Sequence, residues 1–192
     1  MLKALWRTCA FASCIVSASL PLAAQEVIHA LTGTVISINN EAKTITVLQD
    51  SGSKAVFKEM SNPKTPIAFD KEVADESTAA SAFNEKGAYS IVFYFGIGGN
   101  RRIVALKGLG AGPFASTEGT VTKVDRHNHS IYIRDKTGIV RMFKINKQTI
   151  AEGNFGAVEG LKFDADSGDH IRVVSKGADG NATVLFMRDL SL

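Results

Sequence analysis

The chain has 192 residues, a formal net charge of +3, two cysteines and four histidines. Its first 24 residues hold both cysteines (Cys9 and Cys14) and two uncompensated cations (Lys3 and Arg7), so the remainder carries only +1 and no thiol. That remainder can form no intramolecular disulfide, and it is a poor match for a phosphate backbone, whose binding rests on neutralising several charges together.

Residues 1–24 read as a signal peptide. Lys3 and Arg7 form a positive start, Thr8 to Leu22 is uncharged, and Ala23-Ala24 before Gln25 is a small-residue cleavage site. The stretch is too short and too rich in Ser and Ala for a membrane span, which needs about 20 strongly apolar residues. A lipoprotein reading at Cys14 would leave almost no hydrophobic run ahead of the cysteine. The mature chain is therefore expected to start at Gln25, to be periplasmic or secreted, and to keep no transmembrane segment.

Past the leader, Gly33-Thr34-Val35 returns as Gly119-Thr120-Val121, an offset of 86 that also aligns Ile45 with Ile131 and Phe57 with Phe143. A second block repeats at an offset of 81, aligning Gly87 with Gly168, Val92 with Val173 and Gly99-Asn100 with Gly180-Asn181. The spacing is far above the 20–50 residues of a solenoid, so it predicts two tandem domains. The expected boundaries are 27–110 and 117–192, joined by a Gly- and Pro-rich linker at 111–116.

Each copy predicts five strands. The first spans Thr34–Ile38 or Thr120–Val124. The second, Thr44–Leu48 or Ser130–Arg134, alternates as a half-buried strand does. The third carries Phe57 or Phe143, the fourth is Tyr89–Phe95 or His170–Lys176, and the fifth is Ile103–Leu106 or Val184–Met187. In the first strand the shared apolar positions, Val35/Val121 and Ile38/Val124, stand three apart. Keeping both in one core requires a bulge or sharp bend, and bent strands let five strands close. Between strands three and four, Glu72–Phe83 predicts a short helix in the first copy. Gly153, Gly156 and Gly160 predict only a turn or two in the second. The fold class is all-β: two tandem five-stranded OB-like barrels.

The Gly-Thr-Val start, the Thr/Ser-Ile second strand and the glycine-bounded turns resemble a family of small exported bacterial OB-like barrels. They are more distantly similar to the periplasmic copper/silver-binding chaperones. The second resemblance implies metal binding by a Trp, two Met and a His on the barrel face. Here Trp6 lies in the leader and no matching Met/His set appears.

Read from the residues, Arg126, Tyr132 and Arg134 are candidate ligand contacts, because strands two and three of an OB barrel form its usual binding face. His127 and His129, with His170 as a third, are candidate metal ligands. Asp164–Asp169 departs from the calcium-loop order, and the Gly96–Asn100 and Gly108–Gly112 loops lie in no βαβ unit. No nucleophile motif stands in the chain, so no catalytic residue and no cofactor are expected, and an enzyme is not. On the fourth strand Ile91, Phe93 and Phe95 form an apolar outward stripe where the second copy has Arg172, Val174 and Lys176. The stripe predicts an interface with the second barrel, or failing that with another subunit. The expected function is an exported, non-enzymatic binding or interaction module of the periplasm or envelope, with a small ligand or envelope protein as partner. Metal binding through the His-x-His turn is the alternative. Oligosaccharide or nucleic-acid binding is the second alternative, with nucleic acid disfavoured by the charge.

Overall fold

The structure, a computed structural model, describes residues 26–59, 67–68, 70–178 and 180–191; the expected signal peptide at 1–24 lies outside them. Strands β1 (His29–Asn39), β2 (Thr44–Gln49), β3 (Lys54–Glu59), β4 (Tyr89–Phe95) and β5 (Arg102–Gly108) form a sheet ordered β3-β2-β1-β4-β5. It closes into a barrel because β3 also pairs in parallel with β5, Lys58 opposite Arg102 and Glu59 opposite Ile103.

The second sheet contains β6 (Ala115–Asp125), β7 (Ser130–Asp135), β8 (Val140–Lys144), β9 (Ile150–Gly153), β10 (Gly156–Glu159), β11 (His170–Lys176) and β12 (Thr183–Asp189). Its order is β8-β7-β6-β11-β12-β9-β10, with β8 meeting β12 at Lys144 and Thr183. Its first five strands thus run in the order of the first sheet.

The bend read from the apolar spacing is a bulge. Val35 faces Val47 and Ser37 faces Thr46, so Ile36 has no partner residue of its own. Thr122 is the extra residue between Val121 and Lys123 in β6. Each bulge turns its strand, which lets Val35 and Ile38 pack in one core and Val121 and Val124 in the other. Before each bulge a glycine passes close to the neighbouring strand. A Cβ at Gly33 would run into the Leu48 carbonyl oxygen, and one at Gly119 into that of Arg134.

Three expectations are corrected. The stretch from Ile150 to Glu159 is a β-hairpin that extends the second sheet beside β12, because its glycines sit at the bend and the edge and leave Ile150, Ala151 and Glu152 free to pair. The expected short helix is present but confined to α1 (Lys71–Asp75), capped by Asp70; Thr78 and Ala79 then pair with Leu106 and Ala105 of β5, and Ala80–Ala82 make a single helical turn. Strand β6 begins at Ala115, inside the expected linker, because Ala115 and Ser116 pair with Ser175 and Val174. Among the described residues no helix is long and apolar enough to cross a membrane.

Phe57, Val47, Ile103 and Leu106 fill the first barrel, and Ile131, Ile133, Phe143 and Met187 fill the second. A third apolar cluster joins them. Ile91, Phe93 and Phe95 of β4 and Ala105 of β5 pack there with Ile150, Ala157, Val174 and Phe186. Polar contacts cross the same junction. Lys162 reaches Asp70 at 2.9 Å and Glu72 at 3.1 Å, Lys107 Nζ donates to the Gln148 carbonyl at 2.8 Å, and Ala157 N donates to Ile28 O at 2.7 Å. Glu152, buried from the hairpin side, accepts from Ala30 N at 2.7 Å and lies 2.8 Å from His29 Nδ1.

Candidate functional site

Packing two barrels side by side leaves a crevice where their surfaces part. Here it is a cleft of 380 Å³ lined by Asp50 and Tyr89 from the first barrel and by Phe114, Glu118 and Arg172 beside the second. Asp50 ends the β2 strand at its turn, and Tyr89 opens β4, so the β1 strand between them brings two residues 39 positions apart into contact. The Tyr89 hydroxyl donates to both Asp50 oxygens at 3.0 and 2.9 Å, and the Thr32 hydroxyl donates to the same carboxylate. Across the cleft Arg172 on β11 pairs with Glu118 on β6. Phe114 stacks on Tyr89 with ring centroids 5.2 Å apart, tilted by 31°. The result is a half-buried aromatic pair flanked by two carboxylates and a guanidinium, all of whose charges are tied within the protein.

Burial pushes the Tyr89 hydroxyl from its ordinary 10.0 up to about 12, with the Asp50 charge adding to the rise and the Thr32 hydroxyl opposing it. A raised folded value means that the protonated phenol's contribution is full below pH 10.0 and is lost as pH rises through about 12. Wild-type protein should therefore lose denaturant resistance across that window, and Tyr89→Phe should lose less, keeping the share due to Tyr94, also pushed up by burial, and to Lys162, held up by Asp70 and Glu72. Equal losses in the two proteins would show that Tyr89 is not held in this way.

The residues expected from sequence fall elsewhere and apart. Arg126 pairs with Asp164 at 3.0 Å and, with His129, Leu161 and Phe163, lines a recess of 290 Å³ at the far end of the second barrel. Tyr132 lies on the outer face of β7 with Lys123 Nζ 5.3 Å from its ring centroid, and exposed Arg134 is two residues further along. The cation over the Tyr132 ring is thus Lys123, while Arg126 pairs with Asp164. His127 and His129 are exposed, and His129 takes a left-handed backbone, φ 48°, like Lys43 at φ 50° in the matching turn. His170 pairs with Thr120, five residues along β6 from Asp125. That is about 17 Å at the rise of a strand, too far for one ion with His127 and His129. Among the described residues no group of three or more His, Cys, Asp or Glu is placed to hold a metal. Ile91, Phe93 and Phe95 lie in the third apolar cluster, each at most 8% exposed.

None of Asp50, Tyr89, Phe114, Glu118 or Arg172 stands out in sequence, because each is an ordinary residue at a strand end or on a strand surface. The one available signal is Phe114, an aromatic residue in a stretch otherwise read as linker.

No family model and no curated protein matches the chain. Among solved structures it is similar to the silver(I) form of CusF, with a TM-score of 0.32 and 14% identity, over 41% of this chain and 99% of that one.

Proposed function

We propose that this chain is an exported, non-enzymatic binding protein of the periplasm or cell envelope, and that its ligand is a small hydroxyl-rich molecule held in the cleft between the barrels. The observation that carries the reading is the Tyr89–Phe114 pair set beside Asp50, Glu118 and Arg172 in a concavity of 380 Å³. Binding sites favour the junction between domains and combine an apolar platform with a few placed polar groups. A catalytic acid or base needs a group free to take or give a proton at the substrate. Asp50 instead already accepts from Tyr89 and Thr32, and Glu118 is engaged by Arg172, which suits recognition. Export rests on the leader sequence.

The test is a thermal-shift screen of the chain starting at Gln25 against saccharides, amino acids, inorganic anions and divalent metals, repeated on Phe114→Ala and Arg172→Gln. A ligand at 100 times its Kd adds about 2.7 kcal/mol. The expected result is stabilisation by a hydroxyl-rich compound that both variants weaken. Stabilisation by metal alone, or by ligands indifferent to both substitutions, would remove the cleft as the site.

A further inference from the structure

We propose that the cleft is the middle of a longer groove and takes a chain of linked, uncharged sugars; this rests on the cleft being the binding site. A larger cavity of 590 Å³ opens at the mouth of the second barrel, and it shares Ala115, Ser116 and Glu118 with the cleft. On its other side the cleft shares Asp50 and Arg172 with a recess of 60 Å³ that reaches Arg188. The three concavities are therefore neighbours in a row, crossing from the β8 side of the second barrel to the β2 turn of the first. A single pocket suits one compact ligand, whereas adjoining concavities along a surface suit a polymer.

The lining selects against a charged polymer. Asp135 is paired with Arg141 at 3.0 Å, Glu118 with Arg172, and Asp50 is held by Tyr89 and Thr32. The Thr137 hydroxyl and the Arg141 guanidinium hold Asp135 down at about 2, so it stays a carboxylate at any physiological pH. An anionic backbone would thus meet three carboxylates along its path, and a cationic one would meet Lys136, Arg141, Arg172 and Arg188. Paired charges instead present donors and acceptors side by side, which is what a hydroxyl group, itself both donor and acceptor, can satisfy. Arg188 lines the recess at that end, and its buried Nε has no hydrogen-bond partner among the described residues. The Tyr89–Phe114 rings supply the flat apolar platform on which the C–H face of a sugar ring can lie.

The experiment is calorimetric titration of the chain starting at Gln25 with fragments of chitin and of cellulose, from the single sugar to the hexamer. For at least one series, affinity is expected to rise by about tenfold or more from the dimer to the longer fragments, the gain that each added 1.4 kcal/mol of contact produces. Phe114→Ala should weaken every length. Lys136→Ala, at the outer end of the barrel mouth, should weaken the hexamer and leave the dimer unchanged. Affinity independent of length, or a hexamer indifferent to Lys136→Ala, overturns the groove while leaving the cleft intact if Phe114→Ala still abolishes binding. Absence of binding by every fragment of both series overturns the sugar assignment, and a different hydroxyl-rich ligand from the screen would then keep the cleft.

Discussion

Replacing Phe93 with alanine is expected to destabilise the protein by about 3–5 kcal/mol, the usual cost of deleting a fully buried aromatic ring. Phe93 is 0% exposed, yet it faces away from the first barrel's own core. It belongs to the cluster that also holds Val174, Phe186 and Ile150 of the second barrel. The loss should therefore appear in two ways. The urea midpoint should fall, and the segment between Gly108 and Phe114 should become easier to cut, because the barrels no longer hold each other. Barrels of about 80 residues bury only some 60–65% of their chain surface and are marginal alone, which makes them sensitive to this face. Phe57→Ala is the control: it opens the first barrel's own core, lowering stability without touching the junction directly. A Phe93→Ala protein with an unchanged midpoint and an uncut linker would show that the stripe packs against nothing.

The second large effect is expected at Glu152. Its carboxylate accepts from Ala30 N and faces His29, bridging the hairpin of the second barrel to β1 of the first. Glu152→Ala would strand a buried backbone donor and should cost roughly 3 kcal/mol, the lower edge for breaking a buried pair. The lower edge applies because the His29 side chain remains 38% exposed and can turn to water. Glu152→Gln keeps an acceptor for Ala30 N and should cost about 1 kcal/mol or less. Burial raises the Glu152 carboxyl above its ordinary 4.5, against the lowering pull of His29, the Ala30 N–H and Arg188. A raised folded value means that the stabilisation it contributes is complete below 4.5 and is lost as pH climbs through the folded value. Wild type should accordingly gain on Glu152→Gln as pH falls through that window. Parallel stability–pH curves for the two proteins would refute a buried, raised carboxyl.

Much of the architecture was legible because strand periodicity and turn chemistry are local. The three-residue spacing of Val35 and Ile38 implies a bulge, since no flat strand places both inside. Ile91, Phe93 and Phe95 were readable as a surface in need of cover because Arg172 and Lys176 at the matched positions need none. The hairpin from Ile150 to Glu159 was not legible: glycines at 153, 156 and 160 look like strand breakers, and only the free edge of β12 gives that segment a partner. The cleft was invisible for a related reason. Asp50 and Tyr89 meet through the register of β1, and Glu118 and Arg172 through that of β6 with β11. Long-range pairing of this kind leaves no trace in spacing. Arg126, expected in the turn beside Tyr132 and Arg134, pairs with Asp164, a partner 38 residues on that no local spacing could reveal.

Part of the junction joins like to like: Phe93 and its cross-strand partner Ala105 on β4–β5, Val174 and its cross-strand partner Phe186 on β11–β12. Contacts between equivalent faces close upon themselves, as a two-fold dimer does, whereas head-to-tail contacts propagate into filaments. Both of these faces are consumed inside one molecule, so this pair of surfaces is not offered to another copy. The covalent connection also makes the encounter intramolecular and hence independent of dilution. Severed, the same two surfaces would have to find each other in solution, and a property that now belongs to folding would become one of concentration.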